Sequence, residues 1–416
     1  MSNRGSTSGI ASDFDVLIVG GGMVGAGLAL ALRGSGLRVA VVEAQPPDSA
    51  DQPSYDDRAI ALAYGSRLIL GALGVWPNLA PDAEPILSIH VSDRGRFGFS
   101  RLDHRQEGVE ALGYVVCARD LGRVLLPLIQ RAQDIHWLCP ARLDGFRLGT
   151  DVVEADLDQA GSRRGITARL LVAADGGRSQ VRGQLGIAVR EWTYGHHAVI
   201  ANLTPGRPHR GMAFERFTDT GPLAMLPMTG GRSSLVWTVR DQHLDEMLSL
   251  SDRAFLERLQ ARFGYRLGRL RQIGRRTAYP LRQVYAREHV RARLALVGNA
   301  AHTVHPVAGQ GFNLGIRDVA ALAEVLVAAA AAGKDPGALE VLQGYQRSRR
   351  RDHRTVLLAT DALARVFTSP LAPVRVLRDL GMLGVDLIPG ARHLLARQAM
   401  GLRGRLPRLA RGLGLD

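Results

Sequence analysis

Hydrophobic and polar positions along the chain fall into two textures. The first opens at Phe14, where an apolar, β-branched run to Val19 meets Gly20-Gly21-Gly22-Met23-Val24-Gly25 and then an alanine- and leucine-rich stretch ending near Leu32. A second apolar run, Leu37 to Val42, stops at Glu43. Continuous apolar runs bounded by glycine are the mark of buried parallel strands, so the start predicts a strand–turn–helix–strand unit. Arg169 to Ala174, stopped by Asp175-Gly176-Gly177, repeats the pattern, as does Leu294 to Val297, stopped by Gly298-Asn299. A long helix is expected from Gly311 to Ala332. The second texture lies between these. Ala198–Leu203, Gly211–Phe217, Leu223–Met228 and Ser233–Val239 are short runs parted by Pro/Gly turns, the pattern of an antiparallel sheet.

Together these predict an α/β chain: a Rossmann-like dinucleotide-binding domain, a mostly antiparallel β-sheet substrate domain and C-terminal helices. The expected boundaries are 13–85, 109–187 and 281–365 for a discontinuous first domain, 86–108 and 188–280 for the second, and 366–416 for a basic helical segment. A chain of 416 residues can support that many cores.

Charge changes the picture less than its size suggests. The balance is 53 basic against 39 acidic side chains, a net +14, which by itself admits nucleic acid, an anionic membrane or an acidic cofactor. Lys334 is the only lysine, so 52 of the 53 are arginines. Aromatic residues make up 5% of the chain and do not interleave with the arginines, which excludes nucleic-acid binding by base stacking. Cys117 and Cys139 form neither CxxC nor a disulfide framework, so a thiol–disulfide reductase is excluded and a reducing compartment fits. The first dozen residues are polar and read as a loose tail rather than a signal peptide. No uncharged apolar run reaches the length of a membrane span, the nearest being Val319 to Ala332, interrupted by Glu324. The expectation is a cytoplasmic protein, soluble or peripheral on the inner face of the membrane.

The chemistry sits at the strand ends. In Gly20-x-Gly22-x-x-Gly25 the first glycine permits the tight turn, the second lets a pyrophosphate approach the backbone, and the third lets helix and strand pack closely. The N–H groups of the helix N-terminus then face the phosphates. Glu43, about 20 residues on, is placed to accept ribose hydroxyls. A carboxylate there argues for an adenosine without a 2′-phosphate, and so for FAD or NAD. The later stretch Leu296–His302, followed by His305-Pro306-Val307-Ala308-Gly309-Gln310-Gly311-Phe312-Asn313, leaves a strand and opens the long helix. The amides of Gly309 to Asn313 would suit the anionic N1/C2=O edge of a reduced flavin, and Asn299 a ribityl hydroxyl. The same stretch also reads as a loop capping a helix. His302 and His305 lack an accompanying carboxylate or cysteine cluster, so no metal site is expected. His196-His197 reads as a structural pair.

These motifs, in this order, resemble the FAD-dependent aromatic hydroxylases of the p-hydroxybenzoate hydroxylase fold. Val172-Ala173-Ala174-Asp175-Gly176-Gly177-Arg178-Ser179 resembles that family's second fingerprint, at which Asp175 would touch FAD. Gly298–His302 resembles its third, with Asn299 standing where Asp is usual. Asp57-Arg58-Ala59-Ile60-Ala61-Leu62, His90–Gly95, Phe214-Glu215-Arg216-Phe217 and Gly221–Met228 are similar to the ubiquinone-biosynthesis branch, in particular its 2-polyprenyl-6-methoxyphenol hydroxylases. The resemblance implies FAD contacts from Arg58 and Arg119 and from the Asn299–Asn313 loop, including Gly298, Pro306, Gly309, Gln310, Gly311 and Phe312. It implies a substrate pocket in the antiparallel sheet, for which Phe214, Met225, Pro227 and Trp237 are the candidate lining. It also implies a cycle in which NADPH or NADH, docking transiently, reduces FAD. O2 then forms a C4a-hydroperoxyflavin, which hydroxylates a polyprenylated phenol. No residue stands out as a catalytic base.

A polyprenyl substrate lives in the bilayer. Residues 391–416 carry Arg392, Arg397, Arg403, Arg405, Arg408 and Arg411 against Asp416, and Leu402, Leu406, Leu409 and Leu413 fall near one helical face. An interfacial helix on an anionic membrane is one expectation, and a docking site for other quinone-pathway enzymes is another. Gly401, Gly404, Pro407 and Gly412 argue against a helix. Alternatives to the leading reading are hydroxylation at another ring position, a soluble aromatic substrate, and a non-catalytic FAD- or lipid-binding subunit.

Overall fold

The run Phe14–Val19 is buried along nearly all its length because parallel strands flank it on both sides. Ser162–Ala173 pairs on one side and Val39–Val42 on the other; Leu294–Leu296 and Ile135–Leu138 extend the sheet outward. Parallel sheets need cover on both faces. One face receives the wholly apolar helix Met23–Leu32, with Ala118–Gln130 and Gln310–Ala331 beside it. The other is covered by the antiparallel strands Arg142–Leu148 and Val153–Gln159, which curl back through the start of Ser162–Ala173. This computed structural model describes residues 12–46, 49, 56–94, 99–304, 309–368 and 388–415, with 363–368 and 389 by backbone alone.

The second sheet has nine strands. Its spatial order is His302–Thr303, Thr277–Ala286, Val189–Thr204, Arg232–Arg240, Gly221–Met228, Met212–Thr218, Ser88–Asp93 and Phe99–Asp103, with Gln272–Ile273 beside Val189–Thr204. Every pairing is antiparallel except Met212–Thr218 with Ser88–Asp93. The hairpin formed by residues 88–103 thus leaves the first half of the chain to complete the distant sheet. Helix Asp252–Phe263 packs on one face through Phe255, Leu259 and Phe263. A small sheet of Ala59–Ala63, Gly113–Cys117 and Glu84–Ile86 lies against the other.

Inside the first domain sits a buried ionic cluster that no local pattern announces. Asp318, fully buried on helix Gln310–Ala331, receives four hydrogen bonds. Its Oδ2 accepts from the Gly298 N–H (3.2 Å) and pairs with His302 Nε2 (2.6 Å). Its Oδ1 accepts from Arg349 Nε (2.8 Å) and pairs with His353 Nε2 (2.6 Å), both on helix Leu339–Thr368. Burial acts to raise this carboxyl, yet the surrounding His353, His302 and Arg349 hold it well below the ordinary carboxylate range. Arg349 also pairs with Asp352 at 2.7 Å, and Arg317 meets the same Asp352 at 3.3 Å. The carboxylate and second imidazole that His302 lacks in its own stretch therefore arrive from two helices. His302, Asp318 and His353 lie close enough for one ion. The Arg349 guanidinium already places a positive charge on the same carboxylate.

The C-terminal segment departs from expectation. Residues 389–399 are helical, but Gly401, Gly404 and Gly412 adopt positive φ, so no single helix presents the four leucines on one side. Leu409 is buried, and Leu402 and Leu406 pack inward against the protein, leaving Leu413 exposed. The Gly65 N–H donates to the Met400 carbonyl at 2.8 Å, which ties the segment to the first domain. The interfacial helix over 391–416 is thus replaced by an inward-packed strap. Among the described residues no helix is long and apolar enough to cross a membrane.

Removing one member of a buried ion cluster strands the others. Asp318→Asn is expected to cost about 3–5 kcal/mol. It should lower the melting temperature and loosen FAD retention together; an unchanged melting temperature would refute the role given to this cluster.

Candidate active site

Three glycine turns meet at the carboxyl ends of the parallel strands. Gly20 has φ +101°, and a Cβ there would lie 2.5 Å from the Ala174 carbonyl oxygen. At Gly25 a Cβ would lie 1.9 Å from the Gly20 carbonyl oxygen, so helix and strand approach as closely as backbones allow. Gly22 stands between them as the helix N-cap, with no side-chain cap. Glu43 Oε2 accepts from the Gly21 N–H (2.7 Å) and Oε1 from the Gln45 N–H (2.8 Å). That holds a carboxylate with spare lone pairs at the lip of the turn. The second turn abuts the first through Ala174 and Asp175. The third abuts it through Gly298, where a Cβ would meet Val24 at 3.1 Å. Arg182 joins the second and third by donating to the carbonyls of Gly177 and Ala300, both at 2.8 Å.

The cradle fits FAD. Asp175 Oδ2 accepts from the Val181 N–H (3.1 Å), while its buried Oδ1 has no partner, an acceptor awaiting a donor. Burial pushes this carboxyl up, against the hydrogen bonds that favour its ionised form. Asn299 is exposed on the turn Gly298–Ala300. Helix Gln310–Ala331 starts from Gly309 in the left-handed region, φ 62°, packed so tightly on Ala61 that a Cβ would come within 2.9 Å of that methyl. No side chain caps this N-terminus, which therefore offers its dipole and first amides toward Gly309, Gln310, Gly311 and Phe312. Pro306 and His305 lie outside the described residues.

Asn313 has a different task from the one expected. Its Oδ1 accepts from the Ala63 N–H (2.8 Å) and Ser66 Oγ (2.7 Å), and its Nδ2 donates to the carbonyls of Ala61 and Gly309, both 2.8 Å. The side chain is spent within the protein, holding the helix start against strand Ala59–Ala63. Arg58 and Arg119 are brought to the same corner. Arg58 pairs with Asp56 at 2.6 Å and lies 5.2 Å above the Tyr279 ring, while Arg119 pairs with Asp57 at 2.7 Å. Asn202 Nδ2 donates to the Asp57 carbonyl (3.2 Å), tying this corner to the nine-stranded sheet.

The expected pocket lining falls on the covered face of that sheet. Phe214, Met225 and Trp237 are buried under helix Asp252–Phe263, where Phe214 stacks edge-on to Phe263 and Trp237 to Phe255. Pro227, paired with Ser233, is buried on the same side of its strand as Met225. These residues are core. Strand alternation sends Ala213, Glu215, Ala224, Leu226 and Val236 to the opposite face, along with Ile89, Val91 and Ile200. Of these, Glu215, Ala224, Leu226, Val236, Ile89, Val91 and Ile200 stay partly accessible. This is the face against the small sheet, whose first strand follows Arg58. Glu215 was visible only as a letter inside a family motif, and its parity relative to Phe214 is the signal that could have singled it out. His197 pairs with Asp241 at 2.8 Å and His196 Nδ1 meets the Tyr194 carbonyl, both local contacts.

A dinucleotide cradle beside a sheet with one partly accessible apolar face fits a flavin-dependent aromatic monooxygenase. Residues 13–360 match the FAD binding domain family. The chain belongs to that family, in the branch of ubiquinone-biosynthesis FAD hydroxylases. It is 44% identical to ubiquinone hydroxylase UbiL of Rhodospirillum rubrum over 96% of this chain and 93% of the relative. It is 31% identical to 3-demethoxyubiquinol 3-hydroxylase of Escherichia coli over 93% and 98%. Among solved structures, p-nitrophenol 4-monooxygenase PnpA of Pseudomonas putida superposes with a TM-score of 0.79 at 20% identity, covering 95% of this chain and all of that one. That likeness shows the fold.

Burial raises the Glu215 carboxyl to about 7. The folded state therefore keeps a proton there that the unfolded chain releases near its ordinary 4.5, so this group makes stability fall as pH climbs from about 4.5 to 7. Glu215→Gln should melt higher than wild type at pH 8 and no higher at pH 4.5; equal melting temperatures at pH 8 would contradict the placement.

Proposed function

We propose that the protein hydroxylates the ring of a polyprenylated phenol in ubiquinone biosynthesis, with a 2-polyprenyl-6-methoxyphenol as acceptor. The observation that carries this is the partly accessible aliphatic stripe Ile89, Val91, Ile200, Ala224, Leu226 and Val236, set on the sheet face that turns toward the FAD-bearing half. Such a lining suits a ring with a hydrocarbon tail and excludes water from it. The near full-length match to a ubiquinone hydroxylase supports the same reading.

FAD, reduced by NADPH or NADH, supplies activated oxygen when bound. The chain's own residues hold and shield it. The Gly20–Gly25 turn and Glu43 would hold the pyrophosphate and ribose, and Asp175 and Asn299 would take hydroxyls along the linker. Gly309 to Phe312 would set the flavin edge against a helix N-terminus, where negative charge is favoured. Arg58, paired with Asp56 above Tyr279, would present positive charge near the entrance taken by the nicotinamide cofactor.

A lipid substrate calls for contact with the membrane. Ile388, Leu394 and Leu395 stand exposed at and along helix Pro389–Ala399, on which Arg392 and Arg397 are also carried. This short element takes over the membrane-facing part first assigned to the whole of 391–416. The likeness to 3-demethoxyubiquinol 3-hydroxylase favours a second reading, in which another ring position is hydroxylated.

Deletion of the gene should block ubiquinone and accumulate one prenylated intermediate short of one ring hydroxyl, and the purified, FAD-loaded protein should add that hydroxyl with substrate-stimulated NAD(P)H oxidation. Accumulation of a lipid already oxidised at the ring carbon para to the phenol hydroxyl would move the assignment to another ring carbon. Normal ubiquinone in the deletion strain would sink it.

A further inference from the structure

Glu215 is set apart by its surroundings. Its neighbours across the strand pairings are Ala224 and Val91, and its own strand places Ala213 and Phe217 on the same side. Among the described residues it makes no hydrogen bond or ion pair, and burial is the sole cause of its upward shift. Arg216 follows it in the chain but points to the other face, beside Ser92 and Arg266. The titratable groups on Glu215's own side are engaged elsewhere or leave it unperturbed. Asp93 stands opposite Phe217, one same-face position beyond Val91, Cys117 belongs to the small sheet, Arg58 sits over Tyr279 with Asp56, and Asp361 of helix Leu339–Thr368 is bound by Tyr194. A carboxylate set between Ala213, Phe217, Ala224 and Val91 without a partner among the described residues, yet still accessible, is costly to the fold and is useful to something that enters from that face.

We propose that Glu215 is the group that accepts the ring-hydroxyl proton of the phenol. This rests on the reading of the sheet face as the substrate cavity. The phenol O–H bond breaks, its electron pair stays on oxygen and spreads into the ring, and a new O–H bond forms on the Glu215 carboxylate. The ring carbon so enriched takes the electrophilic oxygen that the flavin chemistry of this class supplies, from O2 and NAD(P)H. That carbon then gives up its own proton, which the ring oxygen takes up as aromaticity is restored, and the carboxyl passes its proton to the second oxygen of O2, which leaves as water. The aliphatic lining holds the tail, and the Glu215 carboxylate decides which end of the molecule carries the hydroxyl.

The test uses the full-length, FAD-loaded protein with Glu215→Gln and Glu215→Asp, each checked for wild-type FAD content and visible spectrum. A farnesylated 2-methoxyphenol and its O-methyl ether are titrated against the flavin absorbance above pH 7. Wild type should bind the phenol about tenfold more tightly than the ether, the size of a hydrogen bond to a charged acceptor. Glu215→Gln should lose that preference and Glu215→Asp retain part of it. Turnover in Glu215→Gln should fall about 100-fold, with loss of the acidic limb near pH 7 in kcat/KM. A Gln variant that keeps both the preference and the limb overturns the proposal, even while product forms. If wild type shows a Glu215-dependent preference for the phenol but makes no hydroxylated product, the proposed function fails and this assignment stands.

Discussion

One buried carboxylate holds the cofactor half together. Asp318 has no access to water, and its four donors come from two stretches of the chain, Gly298 with His302 and Arg349 with His353. The Gly298 amide belongs to the turn that closes the flavin cradle and His302 to the short strand just after it, whereas Arg349 and His353 belong to the long helix running on toward the second sheet. A full complement of partners is the condition on which a charge can be buried at all. The price is that the turn and both helices must sit together or not at all. Asn313, about one turn beyond Gly309 on the same helix, fixes the other end of that arrangement by clamping the helix start to strand Ala59–Ala63. The two clamps fix where the helix dipole points, and with it where a flavin edge can be stabilised.

The second sheet divides its duties by face. Aromatic side chains and helix Asp252–Phe263 make one face a core, and the mostly aliphatic residues of the other stay partly accessible. An enzyme for an apolar ring gains from this division, because bulk is kept for stability and room for the substrate. Glu215 lies on the accessible face between Ala224 and Val91, and its raised proton affinity marks stability given up there. Polar groups that cost the fold and find no partner within it are the ones to which chemistry is most reasonably assigned.

Much of this was readable from the chain alone. Phe14–Val19 and its glycine turn could be placed almost to the residue, because a continuous apolar run followed by glycines has few other solutions. The long helix, expected from Gly311 to Ala332, runs Gln310–Ala331. Failures came where a choice of side or a long-range partner decided the outcome. Alternation shows that Phe214 and Glu215 face opposite ways, but not which side is covered, and bulk drew attention to the aromatic one. The partners of Asp318 lie 16 to 35 residues away and follow no local period. In the C-terminal segment the leucine spacing suggested a helix, while glycines at positive φ broke it and turned Leu402, Leu406 and Leu409 inward.

The central claim is that the substrate ring lies on the Glu215 face of the nine-stranded sheet, opposite the aromatic core. A crystal structure of the FAD-loaded protein with a short-chain prenylated phenol bound tests it most directly. The ring should lie against Ala224, Leu226 and Val236 with its hydroxyl within hydrogen-bond reach of Glu215. A ring lodged among Phe214, Met225 and Trp237, or bound outside the sheet altogether, would contradict the account.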